Sequence, residues 1–483
     1  MGRAKHWEVF FNLKDSRGMQ RKQTTSYEYG GWPQEVGVEL RGKAGALSIS
    51  PASERERNDT TKVGEELLER ILGRDNLNLA YKRVKSNKGS HGVDKMTVDE
   101  LLPFLKQHGK IIRKKILEGN YNPQPVRRVE IPKPDGGVRQ LGIPTVTDRL
   151  IQQAIAQVLN EIFDRDFSES SYGFRPAKSA HQAIKVARGY MEQGYQWTVD
   201  IDLEKFFDKV NHDKLLSLVA RKVKDKRLLK LIRKYLESGI MMSGVKIRSE
   251  EGTPQGGPLS PLLANIMLDE LDSELERRGH KFCRYADDCN IYVRSRKAGE
   301  RVLESVTLFI ENVLKLKVNQ SKSAVDKPGG RKFLGFSFYI KEGKARNFIH
   351  KKPVERFKAR VKEITSRSNG KSMEWRRQKL NVLIIGWVNY FHIADMKGVA
   401  RELDQWIRRR IRMCYWKQWK KIKTKHDNLV KLGIKNHKAW EFANTRKGYW
   451  KISNSYILDT SITNEYLEKQ GFLSLIKRLS LAY

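Results

Sequence analysis

Hydrophobic and polar positions alternate with a period of two on both sides of Tyr285-Ala286-Asp287-Asp288. Lys281 to Arg284 alternate with Phe282 to one side, and Ile291 and Val293 alternate with Asn290 and Tyr292. The pattern predicts strand, turn, strand, with adjacent carboxylates at the tip. A second alternating run, Trp197-Thr198-Val199-Asp200-Ile201-Asp202, puts Val199 and Ile201 on one side and the aspartates on the other, then enters the helical pattern Leu203 to Asp208. Helical spacing begins at Val63, Leu67 and Ile71, with Gly73 as the expected stop. From there to about residue 345 short strands alternate with helices, without the repeated βαβ units of a doubly wound sheet, so an open antiparallel sheet is expected. Beyond about residue 350 one helical stripe carries Phe357, Val361 and Ile364, and another carries Leu380, Leu383, Ile384 and Trp387.

Adjacent aspartates repel each other in a bare turn, so a pair held on a hairpin tip points to a divalent cation. Asp202, at the end of its own strand, supplies a third carboxylate. Two-metal phosphoryl transfer needs oxygen ligands on rigid elements, holding cations about 3.5 to 4 Å apart. One ion lowers the pKa of an attacking 3′-hydroxyl and the other stabilises the leaving pyrophosphate. The residues alone leave two alternatives open: a solvated Asp-Asp turn, and Asp202 as a helix N-cap.

These residues carry a family resemblance. Over roughly residues 61 to 483 the chain resembles a bacterial group II intron-encoded reverse transcriptase with an attached maturase domain, of the type lacking the His-Asn-His endonuclease. The strand ending on Asp202 is similar to polymerase motif A, Gly252-Thr253-Pro254-Gln255-Gly256-Gly257-Pro258-Leu259-Ser260-Pro261 to motif B, and Tyr285 to Asp288 to motif C. Lys317-Val318-Asn319-Gln320-Ser321-Lys322 resembles motif D, and Phe333-Leu334-Gly335-Phe336 the primer grip. Upstream, Arg128 to Arg139 and Ser171-Tyr172-Gly173-Phe174-Arg175-Pro176 resemble fingers segments, so that seven motifs stand in the family's order.

The resemblance implies an α+β right-hand polymerase, with fingers and an antiparallel-sheet palm followed by an all-α basic thumb and maturase domain. The expected bounds are an N-terminal extension over 1–60 that is poorly ordered, fingers over 61–190, palm over 191–345, thumb and maturase over 346–425, and a nucleic-acid-binding tail over 426–483. Asp202, Asp287 and Asp288 become the catalytic carboxylates and the ligands of two Mg²⁺ ions, with Mn²⁺ as the substitute. Lys133 and Arg139 are expected to clamp the triphosphate across a hairpin turning at Asp135-Gly136, a dipeptide suited to a two-residue loop. Phe207 blocks the 2′-hydroxyl of a nucleotide, Gln255 offers an amide to the nascent pair, and Lys322 protonates the leaving pyrophosphate. The implied partners are group II intron RNA, an RNA template with a DNA primer, target DNA and deoxynucleoside triphosphates. Monomer and dimer stay open. An RNA-binding splicing cofactor with an inactive polymerase, and a reverse transcriptase recruited to phage defence or repair, are the alternatives.

Composition narrows the partners. Lys and Arg number 94 against 56 Asp and Glu, a formal net charge of +38, which marks a polyanion binder. No run of ~18 apolar residues exists to span a bilayer, so no membrane partner is expected. The 3 cysteines exclude a disulfide framework and fit a reducing cytoplasm. From Arg401 to Lys425 there are ten Lys or Arg and two acids. On a helical projection Leu403, Ile407, Ile411 and Cys414 share a core face. Arg408, Arg409, Arg412, Tyr415, Trp416 and Trp419 share the opposite one, an expected RNA-binding face, while Arg410 falls on the apolar stripe without an evident partner.

Overall fold

The computed structural model describes residues 66–132, 137–242, 245–247, 252 and 256–481. The extension 1–60, Val63, Lys133, the Asp135-Gly136 turn, Gln255 and the side chain of Arg139 lie outside the described residues. The described residues divide into two compact units, 66–327 and 328–481.

The first unit contains β1 (Val126–Pro132), β2 (Val138–Ile143), β3 (Trp197–Ile201), β4 (Ile240–Met242), β5 (Val245–Ile247), β6 (Lys281–Tyr285), β7 (Asp288–Val293) and β8 (Ala324–Asp326). One sheet has the order β2-β1-β4-β5, and the other, β6-β7-β3-β8, is antiparallel throughout. The expected open antiparallel sheet is this second one. It is covered on both faces, which changes the meaning of the alternation along β7: Asn290 and Tyr292 are as buried as Ile291. The helix Arg296–Asn312 lies so close to the sheet that a Cβ on Gly299 would come within 2.5 Å of Val325 Cγ1. Val199, Phe206, Leu263, Leu271 and Ile291 join one hydrophobic core.

One local expectation is corrected. The first helix, Leu67–Ile71, ends at Leu72, and Gly73, with φ −62°, is the N-cap of the next helix, Arg74–Asn87, rather than a left-handed stop.

The turn between β6 and β7 is the tight one. Tyr285 pairs with Asp288, leaving only Ala286 and Asp287, and Ala286 takes φ +55°, a left-handed value that costs an L side chain about 1 kcal/mol or more. Its carbonyl accepts from Nη1 of Arg284 at 2.9 Å. Arg284 is fully buried: its Nε donates to Asp272 Oδ1 at 2.7 Å, Nη1 also reaches Asn265 Oδ1 at 3.0 Å, and Nη2 donates to Ser171 Oγ at 2.7 Å. Burial works to lower the Arg284 pKa, and the charge of Asp272 outweighs it; on Asp272 burial pushes the carboxyl up while Arg284 pulls it back. The segment Ser170 to Gly173 braces the same turn, with Tyr172 N donating to Arg284 O and Arg284 N to Ser170 O. A Cβ at Gly173 would sit 2.3 Å from the Ala286 nitrogen, so only glycine fits.

At the other end of this unit Asp225 caps the helix Lys226–Glu237 through Arg227 N and also accepts from Leu68 N, tying the first helix down. Burial raises its carboxyl, but the bonds from Arg227 and Leu68 pull harder and hold it below the ordinary 3.8. A carboxyl depressed in the folded state contributes stability above its unfolded value that is lost as pH falls toward the folded one.

Asp225→Ala is expected to cost about 2 kcal/mol at neutral pH, from the lost cap and an orphaned amide. The difference from the parent should shrink below pH ~4, read by urea unfolding across pH. Arg284→Met should cost about 3–5 kcal/mol by stranding Asp272 in the core, and the double variant with Asp272→Leu should be less destabilised than Arg284→Met alone. Additive losses in the same unfolding experiment would show that the pair is not coupled.

Candidate active site and nucleic-acid interface

The carboxylates meet at one end of the antiparallel sheet. Ile201 of β3 pairs with Cys289 of β7, so Asp202, one residue further on, stands level with Asp288, and Asp287 lies in the adjoining turn. Opposed antiparallel residues have Cα atoms about 4.5–5.5 Å apart, which is within reach of a shared cation. All three aspartates are half-buried, neither dispersed in solvent nor sealed in the core. Among the described residues no three His, Cys, Asp or Glu side chains are grouped so as to hold a metal ion. What the backbone supplies is the proximity of the carboxylates, whose oxygen donors suit a hard divalent ion.

Motif D latches motif A in place. Ser323 Oγ accepts from Asp202 N at 3.0 Å, Asn319 N donates to Asp202 O at 2.8 Å, and Glu204 N donates to Lys317 O at 2.8 Å. This fixes the Asp202 backbone at both its N–H and its C=O. Lys322, in the same turn, is exposed.

Phe206 and Phe207 divide as their neighbours dictate: Phe206 is buried in the core, and Phe207 is half-buried, its ring 5.1 Å edge-on from that of Phe206. Gly252, the first residue of motif B, takes φ +93° and lies over this segment, where a Cβ would be 2.8 Å from Phe207 O. His212 holds it there through Nε2 and Gly252 O at 2.6 Å. The later motif B glycines also serve close approach within the chain. A Cβ on Gly256 would lie 2.6 Å from the carbonyl oxygen of Gly142 in β2, and one on Gly257 would meet Gln152 at 2.2 Å.

Arg284, Asp272 and Asn265 escaped the sequence reading. The available signal was a pair of charged residues in otherwise apolar settings, Arg284 beside the turn and Asp272 between Leu271 and Leu275 on the helix Ser260–Arg277. The three cysteines are free and buried, as strand and helix packing residues.

In the second unit the hairpin β9 (Phe336–Lys341) and β10 (Lys344–Ile349) precedes helices Lys351–Ile364, Met373–Phe391 and Lys397–Gln418. Phe357, Val361, Ile364, Leu380, Ile384 and Trp387 are buried along the expected stripes, and Leu403, Ile407, Ile411 and Cys414 form the core face of the third helix. The expectation for its opposite face is overturned. Arg408, Arg412, Trp416 and Trp419 are all buried, the two arginines against the C-terminal helices. Arg408 pairs with Asp404 at 2.9 Å and Glu468 at 3.3 Å. Arg412 pairs with Asp459 at 2.6 Å and donates to Ile462 O at 2.9 Å. Asp404 also accepts from Leu475 N, and Asn381 holds Gly471 and Leu473. Only Arg409 of the expected set keeps partial exposure among its cations; its guanidinium stacks 3.8 Å from the Trp450 ring centre and donates to Trp450 O. The projection showed which residues share a face, but not that residues more than forty positions downstream would cover it.

Arg410 finds its partners in one threonine hydroxyl and two backbone carbonyls. It donates to Thr365 Oγ1 and to the carbonyls of Lys362 and Thr365, the open end of the helix Lys351–Ile364.

Comparison with known proteins accords with this architecture. Residues 131–338 match the family described as reverse transcriptase (RNA-dependent DNA polymerase), and residues 354–433 match the group II intron, maturase-specific domain. Protein YkfC of Escherichia coli (strain K12) is 35% identical over 280 residues, 50% of this chain and 74% of that protein. The group II intron-encoded protein LtrA of Lactococcus lactis subsp. cremoris is 30% identical over 357 residues, 60% of this chain and 59% of LtrA, so the chain spans less than two thirds of that relative. A chain of the partial Cas6-RT-Cas1–Cas2 complex is 27% identical and covers 57% of this chain and 46% of its own, at a TM-score of 0.35, which is too low to bear on the fold. With a reverse transcriptase domain followed by a maturase-specific domain, and YkfC matched over most of its length, the chain belongs to the group II intron reverse transcriptase/maturase family.

Proposed function

We propose that this protein is an RNA-directed DNA polymerase that copies group II intron RNA during retrohoming and, as a maturase, binds the same RNA to promote its splicing. The observation that carries the polymerase reading is the register that sets Asp202 level with Asp288, with Asp287 in the adjoining turn, inside a reverse transcriptase domain. The maturase reading rests on the maturase-specific domain and the net charge of +38.

In this reading residues up to 190 act as fingers, the β6-β7-β3-β8 sheet as palm, and the helical unit as thumb and maturase domain. Asp202 and Asp287, with Asp288 beside them, hold two Mg²⁺ ions, with Mn²⁺ as the substitute. Such ions supply Lewis acidity that makes a primer 3′-hydroxyl nucleophilic and offsets charge on the leaving pyrophosphate. The rest falls to the chain's own groups. Lys133 and Arg139 hold the triphosphate, Gln255 orients the incoming base, Phe207 excludes a 2′-hydroxyl, and Lys322 returns a proton to the leaving group. The template, the primer and the target DNA run along basic surface, so binding weakens as salt rises. No described helix is long and apolar enough to cross a membrane. We place the protein's work in the cytoplasm, on the reduced state that its free cysteines suit.

Primer extension on an RNA template, with Mg²⁺ and either deoxynucleotides or ribonucleotides, tests the reading. Asp287→Ala should reduce extension by about 10²-fold or more while intron RNA affinity stays within about twofold of the parent. Equal loss of both would refute a division of labour between these residues. Phe207→Ala should raise ribonucleotide use relative to deoxynucleotide by about tenfold or more in the same assay. Absence of extension by the parent, together with tight salt-sensitive RNA binding, would favour a splicing cofactor with a silent polymerase.

A further inference from the structure

The buried arginines of the second unit raise the question of where its unneutralised charge is displayed. Arg408 and Arg412 are spent on Asp404, Glu468 and Asp459. A different side of the same long helix opens on a cavity of about 650 Å³ lined by Lys362, Ser366, Arg367, Ser368, Arg410, Met413, Lys417 and Trp450. Four of these residues are cations and none is an acid. The acid nearest in sequence, Glu363, is ion-paired with Arg360 and does not line the cavity. The volume falls within the roughly 300–1,000 Å³ usual for ligand sites.

The walls are fixed by the fold rather than by flexible side chains alone. Arg410, Met413 and Lys417 stand at i, i+3 and i+7 on the helix Lys397–Gln418, one face of it. Lys362, Ser366, Arg367 and Ser368 come from the end of the helix Lys351–Ile364 and the turn after it. Carbonyls at that helix end would repel an anion, but Arg410 caps those of Lys362 and Thr365. Arg410 is half-buried, and burial lowers its pKa, with Cys414 opposing and Arg367 adding to the effect. The Tyr449 ring is approached by Arg367 at 5.2 Å and by Lys417 at 5.0 Å, which orients both cations at the rim. Trp450, held by Arg409 at 3.8 Å, remains 39% exposed and lines the cavity with an aromatic surface.

We propose that this cavity binds one unpaired nucleotide of the intron RNA, with its phosphate among Lys362, Arg367, Arg410 and Lys417 and its base against Trp450. Guanidinium and ammonium groups with no carboxylate between them match a phosphodiester, Ser366 and Ser368 add hydroxyl donors, and an indole suits an unstacked base. A paired nucleotide could not present its base to Trp450, so the site selects loops and bulges over helix. Trp450 lies beyond residue 433, where the match to the maturase-specific domain ends, so this site joins that domain to the tail that follows it. The inference rests on the reading of the chain as a binder of intron RNA.

The test is equilibrium binding of the full chain to a group II intron RNA, titrated over several salt concentrations. Lys362→Ala with Lys417→Ala removes two cavity charges; Lys431→Ala with Lys435→Ala removes two exposed charges elsewhere in the same unit. The cavity pair should weaken binding about tenfold more than the control pair and lower the salt slope by about two. Trp450→Leu should weaken binding to an RNA with unpaired loops but not to a duplex of equal length, whereas Trp450→Phe should retain most of the affinity. If a substitution lowers the melting temperature, Lys362→Gln and Lys417→Gln replace it and carry the same expectation. Parent-like binding by the cavity variants, with the parent itself binding intron RNA tightly, would overturn the site while leaving the maturase reading intact. Failure of the parent to prefer intron RNA over an unrelated RNA would overturn that reading and the site with it.

Discussion

The catalytic end of the sheet depends on one buried ion pair. Asp287 completes, and Asp288 follows, a two-residue turn whose first residue, Ala286, carries a left-handed backbone with a side chain attached. Such a turn relaxes unless something over-determines it. Arg284 does so from inside the protein, joining Asp272, Asn265, Ser171 and the Ala286 carbonyl, so a helix, a loop and the β6-β7 turn converge on one guanidinium. A planar cation with five donors can satisfy four acceptors at fixed angles, which a lysine could not. Gly173 completes the arrangement by allowing backbone to lie against backbone. The fingers-like segment Ser171 to Pro176 therefore has a structural duty at the catalytic turn, distinct from any contact with a template.

A second economy governs the charge. A chain with +38 formal charges can hold a polyanion anywhere on its surface, so excess charge alone identifies no site. What distinguishes one arginine from another is what it already touches. Arg408 and Arg412 are committed to Asp404 on their own helix and to carboxylates and carbonyls of the C-terminal helices, and their removal would strip Asp404, Glu468 and Asp459 of their cations, a folding defect before it is a binding defect. Arg410, Arg367, Lys362 and Lys417 surround open space with no acid among them. The same helix thus uses alternate cations for cohesion and for display.

The parts legible in the sequence were those set by short-range pattern. The strands around Asp202 and the hairpin at Asp287 follow from period-two alternation, and the core stripes at Phe357, Val361 and Ile364 follow from helical spacing. Patterns failed where a contact from far along the chain decided the outcome. The alternation of Ile291 and Val293 with Asn290 and Tyr292 marks a strand but not which side is covered, and all four are buried. Arg408 and Arg412 read as a phosphate-binding face, yet Glu468, Asp459 and the Ile462 carbonyl of the tail hold them buried. Gly73 read as a stop because a glycine after a helix often is one, but its φ of −62° shows that the next helix begins there.

The fingers hairpin shows how fine such distinctions can be. Asp135-Gly136 is the dipeptide that a two-residue turn favours, while the strands that flank it pair Pro132 with Val138. A register differing by one residue exchanges the two faces of each strand. With Ile131 opposite Arg139, the basic residue expected at the triphosphate is fixed by the strand pairing, not by the turn. Arg139 and the carboxylates at Asp287 and Asp288 thus share a logic: each stands on or beside a strand whose backbone pairing sets its place.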